Sequence, residues 1–163
     1  MRMDWIVRRA TLADMQAIIV IEQSSADAPH WSEAVWIAAF ANEERSEPLR
    51  ATFLAESGGR VVGFVVVSCA VGVAELESLA VGVAERRQGV GRALCGEALA
   101  WSRRKAAEVI ELEVRASSTG ALALYRSLGF MKRGMRREYY RYPTEDAVMM
   151  SALLGSQVTY RAL

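Results

Sequence analysis

RRQGVGRAL, residues 86–94, sets glycines at 89 and 91 among Arg86, Arg87 and Arg92 and runs straight into an apolar pattern of helical spacing. Glycine allows a tight turn and close backbone approach to a ligand, and the first turn of a helix leaves N–H groups without internal acceptors. Those donors, the positive helix end and the arginines favour an anion, and a phosphate or pyrophosphate meets the requirement. Two common phosphate loops do not fit. The dinucleotide fingerprint needs a third glycine where Leu94 stands, and the P-loop needs Gly-Lys-Ser or Gly-Lys-Thr where the chain has Gly91-Arg92-Ala93. Taken alone, the stretch is either an anion cradle or a tightly packed helix start.

Its surroundings define the fold class. Val90, Leu94, Ala98 and Trp101 predict a helix from Val90 to about Lys105. Upstream, VAELESLAV (73–81) reads as a strand whose alternation puts Val73, Glu75, Glu77, Leu79 and Val81 on one face and Ala74, Leu76, Ser78 and Ala80 on the other. Two further strands, 51–56 and 60–70, are split by the hairpin signal Ser57-Gly58-Gly59. At the front, WIVRRAT (5–11) predicts a strand, and Thr11 to Asp14 resembles a capping box opening a helix with Met15, Ile18, Ile19 and Glu22. A loop, ADAPHW (26–31), leads to a helix over 33–42 capped by Ser32. Downstream come a strand at VIELEV (109–114) and a helix in TGALALYRSLGF (119–130), with Ala121, Leu124 and Leu128 on its buried side and Gly129 as a left-handed stop. Strands at 131–141 and 146–154 follow. The order β α α β β β α β α β β predicts an α/β class protein with a mixed sheet and helices on both faces.

The 163 residues suit one compact domain, expected over 1–154 with a C-terminal tail over 155–163. Twenty basic and 19 acidic residues nearly cancel, which argues against nucleic acid or an anionic membrane as the main partner. The longest apolar stretch, VVGFVVVSCAVGVA (61–74), is too short for a membrane span and reads as strand. The start shows no signal core, so a cytoplasmic setting is expected. Cys69 and Cys95 sit in apolar patterns and read as buried thiols, and the single His30 reads as a loop residue, so no metal set is expected.

Arg86-x-x-Gly89-x-Gly91 after LESLAV (76–81), together with LEVRASSTGALALYRSLGF (112–130) and RREYYRYPTEDAVMM (136–150), resembles the GNAT (Gcn5-related N-acetyltransferase) superfamily. The resemblance is dense over 74–153 and thinner at the front, where HWSE (30–33) is similar to a family segment. It implies the GNAT acyl-CoA N-acyltransferase fold and acetyl-CoA as cosubstrate. The pantetheine amides would run along the backbone of Leu79, Ala80 and Val81. The pyrophosphate would sit on Arg87, Gln88, Gly89, Val90, Gly91 and Arg92, with Arg86 at the first motif position. Ser118 stands where the family has an asparagine facing the cofactor.

The resemblance also makes Glu113 the general base and Tyr125 the general acid. An α-amine has a pKa of about 8 and must lose a proton before it attacks a thioester, which a carboxylate can accept. Read on the residues alone, Glu113 is a base or a solvated strand residue, and Tyr125 an acid or a core aromatic. Trp31, Glu75, Glu77 and Tyr139 are candidates for the acceptor side. The two glutamates are steering charges, an alternative base or an exposed strand face. The resemblance further implies as acceptor a protein N-terminal amine, the N-terminal alanine of a small-subunit ribosomal protein, attacked directly in a ternary complex. The alternatives are another protein N-terminus, a small amine, or a non-catalytic acyl-CoA-binding sensor. The arginine- and tyrosine-rich run over 132–142 is expected beside the substrate groove rather than on nucleic acid.

Overall fold

The computed structural model describes residues 4–43 and 45–155. The strands are β1 (Ile6–Arg9), β2 (Arg50–Ser57), β3 (Arg60–Ala70), β4 (Val73–Val81), β5 (Val109–Arg115), β6 (Met131–Tyr140) and β7 (Glu145–Leu153). The helices are α1 (Met15–Gln23), entered through a 3-10 turn at Leu12–Asp14, then α2 (Glu33–Glu43), α3 (Val90–Arg104) and α4 (Thr119–Ser127). All strands form one sheet in the order β1-β2-β3-β4-β5-β7-β6. Among the described residues, only the β4–β5 pair is parallel. The predicted element order is therefore observed. Of the expected tail, residues 156–163 lie outside the described residues.

The sheet is covered on both faces. On one, α3 presents Val90, Leu94, Ala98 and Trp101 to Val65, Val67 and Leu76. On the other, Ile18, Trp36 and Phe40 of α1 and α2 pack with Leu54, Phe64 and Val66. The buried runs of β2 and β3 lie under helices on both sides, which is why they read as continuous apolar segments rather than alternating ones. Gly58 and Gly59, at φ 56° and 76°, form the two-residue hairpin turn. Gly129, at φ 95°, stops α4 as predicted. The buried centre of α4 is Leu122 and Tyr125, whereas Ala121, Leu124 and Leu128, predicted on the buried side, are only partly buried, the first two because they face an open groove.

Two irregularities of β4 shape the site. Val66 pairs with Ser78 and Val67 with Leu76, so Glu77 is an extra, bulged residue. A bulge turns consecutive side chains to one side. Ala74, Leu76, Leu79 and Val81 thus all face the α3 core, while Ala80 belongs to the α1–α2 core. Strict alternation, which joined Leu79 and Val81 to the face of Glu75, fails at this point. Secondly, β4 and β5 pair only at Val73–Val109, Ala74–Ile110 and Glu75–Glu111, and beyond Glu75 they part.

Candidate active site

The gap between β4 and β5 opens into a groove of about 760 Å³, walled by β4, the glycine loop and α4. Gly89 caps α3 in the left-handed region at φ 88°, and a Cβ there would point into open space. The first bond of α3 runs from the Ala93 N–H to the Gly89 carbonyl at 3.1 Å, so the N–H groups of Val90, Gly91 and Arg92 have no helical acceptor. A Cβ on Gly91 would lie 3.4 Å from Leu124 Cδ2, which fixes how closely α4 borders the loop. Arg86 donates to the Val81 carbonyl at 3.1 Å, and Arg92 to Ser127 Oγ at 2.6 Å. Arg87, at φ 61°, makes no such bond among the described residues and lines the groove. Gln88 instead donates to the Ala84 carbonyl at 3.2 Å, and the Val90 side chain is buried in the core. Of the loop residues predicted to hold pyrophosphate, these two turn their side chains away from the groove.

Leu79, Ala80 and Val81 line the groove on the β4 edge that has no strand partner, the place where an extended chain of amides can complete a ladder. An anion cradle at one end and an unpaired strand edge leading from it suit acetyl-CoA.

A second cavity, of about 480 Å³, lies on the other side of the same gap. Trp31, Glu75, Glu77, Glu113 and Tyr139 all line it, so the predicted acceptor residues and the predicted base come together. The two cavities share Asp27, Ala28, Leu79, Ser118, Ala121 and Tyr125. Tyr125 is buried, its ring set edge-on to Phe130 at 5.7 Å, and burial pushes its hydroxyl well above the usual tyrosine value. It therefore holds its proton at the junction. Cys95, fully buried in α3, is pushed up to about 12 by the same cause and stays a thiol.

Electrostatics in the second cavity are set by arginines from distant strands. Arg50 of β2 grips Glu77 with Nε and Nη2 at 2.7 and 2.8 Å and lies over the Trp31 ring at 5.7 Å. Arg136 of β6 lies 2.9 Å from Glu113 Oε1. The neighbouring Glu113 carboxylate raises the Tyr139 hydroxyl above the usual tyrosine value and keeps it protonated. Glu75 has no such partner among the described residues. Crowding by protein atoms and then the charges of Glu77, Glu113 and Glu111 raise its carboxyl above the ordinary range.

Sequence reasoning missed Asp27 and Arg50 as members of the site, whereas Arg136 belongs to the run expected beside the substrate groove. Asp27 accepts the Ser118 hydroxyl at 2.7 Å, tying the α1–α2 loop to the start of α4. The hydroxyl predicted to face the cofactor is thus engaged across the cavity junction. Behind the loop, buried Glu22 accepts the Trp36 indole N–H at 3.1 Å, and Trp36 packs on Trp31 at 4.8 Å. His30 bonds the Ser25 carbonyl through Nε2 at 2.7 Å, a loop role as expected.

The family model described as acetyltransferase (GNAT) family matches residues 14–130. The chain belongs to the GNAT acetyltransferase family. As a GNAT protein it is an N-acetyltransferase that uses acetyl-CoA. It is 38% identical over 119 residues to the N-alpha-acetyltransferase RimI of Mycobacterium tuberculosis, covering 71% of this chain and 73% of that one. It is 35% identical over 142 residues to the [ribosomal protein bS18]-alanine N-acetyltransferase of Escherichia coli K12, covering 85% and 90%. Among solved structures, the ribosomal-protein-S18-alanine N-acetyltransferase of E. coli superposes with a TM-score of 0.81 at 27% identity, covering 98% of this chain and all of that one. Ard1 of Thermoplasma volcanium gives 0.82 at 25% identity, covering 93% and 99%. Among the described residues of this GNAT protein, no helix is long and apolar enough to cross a membrane.

Proposed function

We propose that this enzyme acetylates the α-amine of a protein N-terminus, the N-terminal alanine of a ribosomal protein, by direct transfer within a ternary complex in the cytoplasm. The observation that carries the reading is the meeting of the two cavities at Tyr125: an anion cradle leads in from one side and a carboxylate-lined pocket from the other. The names borne by the relatives at 35–38% identity support the choice of acceptor.

Bound acetyl-CoA supplies an acyl carbon activated as a thioester and a thiolate leaving group. Glu75, Glu77 and Glu113 give the acceptor pocket a negative field that draws a cationic N-terminus. The incoming ammonium competes with Arg136 for Glu113, whose carboxylate then takes the proton the amine must lose. Tyr125 holds a proton for the departing sulfur. The N–H groups along the unpaired β4 edge face the side where negative charge develops on the carbonyl oxygen. Buried Cys95 remains protonated and carries no acyl group.

Mass spectrometry of peptides differing at residue one, incubated with enzyme and acetyl-CoA beside a set of polyamines, tests the acceptor. Peptides beginning with alanine are expected to gain one acetyl group. Acetylation of polyamines alone overturns the assignment, and tight CoA binding with no acetylated product overturns catalysis.

A further inference from the structure

Ser78 follows the bulged Glu77 on β4, and the bulge turns it toward the same side as Glu75 and Glu77. Its residue is 3% exposed, it lines the acceptor cavity, and its Oγ has no hydrogen-bond partner among the described residues. Buried hydroxyls are nearly always paired, and an unpaired one destabilises the fold that carries it. An unpaired buried hydroxyl on a cavity-lining residue is a group that a ligand can satisfy.

The neighbouring acceptors narrow what that ligand offers. Both oxygens of Glu77 are engaged by Arg50. Glu113 is paired with Arg136. Asp27 accepts the Ser118 hydroxyl. Glu75 and the Ser78 hydroxyl are left without such a partner among the described residues, both on the β4 wall. An amine attacking a carbonyl uses its lone pair for the new bond, so its N–H groups need acceptors of their own. A carboxylate favours the cationic, unreactive ammonium, whereas a neutral hydroxyl accepts from an N–H without favouring protonation. Ser78 is also next in sequence to Leu79, which lines both cavities, so it stands close to where they join.

We propose that Ser78 is an acceptor-binding residue whose Oγ accepts a hydrogen bond from the α-amine of the acceptor, beside the Glu75 carboxylate. The inference rests on the peptide-amine reading above. It accounts for a polar group at a buried strand position where alanine would fit the core pattern set by neighbouring Ala80.

Steady-state kinetics of Ser78→Ala with an alanine-initiated peptide, alongside thermal unfolding of the same variant, tests it. Peptide KM is expected to rise about tenfold, the loss of one hydrogen bond present in both ground and transition states. The KM for acetyl-CoA and kcat should stay within about twofold, since uniform binding does not enter kcat. Tm should stay level or rise, because an orphaned hydroxyl has been removed. An unchanged peptide KM in an enzyme that acetylates the peptide overturns the role of Ser78 alone. So does a Tm lowered by several degrees, which shows the hydroxyl satisfied within the fold. If wild-type enzyme acetylates none of the peptides, the peptide-amine reading itself fails and the inference with it.

Discussion

The donor groove and the acceptor pocket meet at Leu79, Ser118 and Tyr125, but they are made of different material. The groove offers backbone: the open β4 edge, the free N–H groups at the start of α3, and a left-handed Gly89 that lets them converge. The pocket offers side chains, and its charges are trimmed by Arg50 from β2 and Arg136 from β6. A site made of backbone recognises a cosubstrate through few and contiguous positions. A site made of side chains gathered from six elements can change its acceptor by point substitution while the fold and the donor side persist.

Substitutions should separate the two halves. Gly89→Val forces a β-branched residue to φ 88° and fills space the groove leaves open, so CoA binding measured by calorimetry should be lost with the far-ultraviolet circular dichroism unchanged. Glu113→Gln should lower kcat by about 10²–10⁴-fold and Tyr125→Phe by about tenfold or more, both with CoA affinity intact. Parallel losses of CoA affinity in these two variants would erase the distinction between groove and pocket. Arg50→Ala frees Glu77 and makes the pocket more negative, so KM for a cationic peptide N-terminus should fall several-fold, about the effect of one charged pair, with acetyl-CoA KM unmoved.

The smallest expected effect is on stability behind the pocket. Burial raises the Glu22 carboxyl above its ordinary value of 4.5, with the Trp36 bond opposing, and one of its oxygens has no partner among the described residues. A carboxyl raised on folding contributes stability in full below its unfolded value, and that contribution is lost as pH rises through the folded value. Glu22→Gln keeps an acceptor for Trp36 without the charge. Relative to wild type its Tm should therefore climb from pH 4 to pH 7, by about 2–4 °C for each kcal/mol recovered. A constant Tm difference across that range places the raised carboxyl elsewhere.

The donor half was legible because its residues are contiguous. RRQGVGRAL encodes a turn, a helix start and a positive charge within nine positions, and LESLAV supplies the strand that feeds it. Within that stretch the Gln88 side chain turns back to Ala84 and the Val90 side chain into the core, which leaves their backbone at the loop. The acceptor half was half legible. Trp31, Glu75, Glu77, Glu113 and Tyr139 do line one cavity, but the Glu77 bulge is invisible to an alternation rule, because nothing in VAELESLAV marks where the register slips. Asp27 and Arg50 carried no local signal either. Asp27 lies in a loop whose fold depends on Glu22, Trp36 and Ser118, and Arg50 lies 27 positions from the glutamate it grips.

Initial-rate kinetics with both substrates varied tests most directly whether transfer occurs where the two cavities meet. Double-reciprocal plots against acetyl-CoA at several fixed peptide concentrations should intersect, the pattern of two substrates bound together before either product leaves. Parallel lines, with a burst of CoA released before peptide is added, would mean an acetyl-enzyme intermediate. That result contradicts direct transfer at the Tyr125 junction.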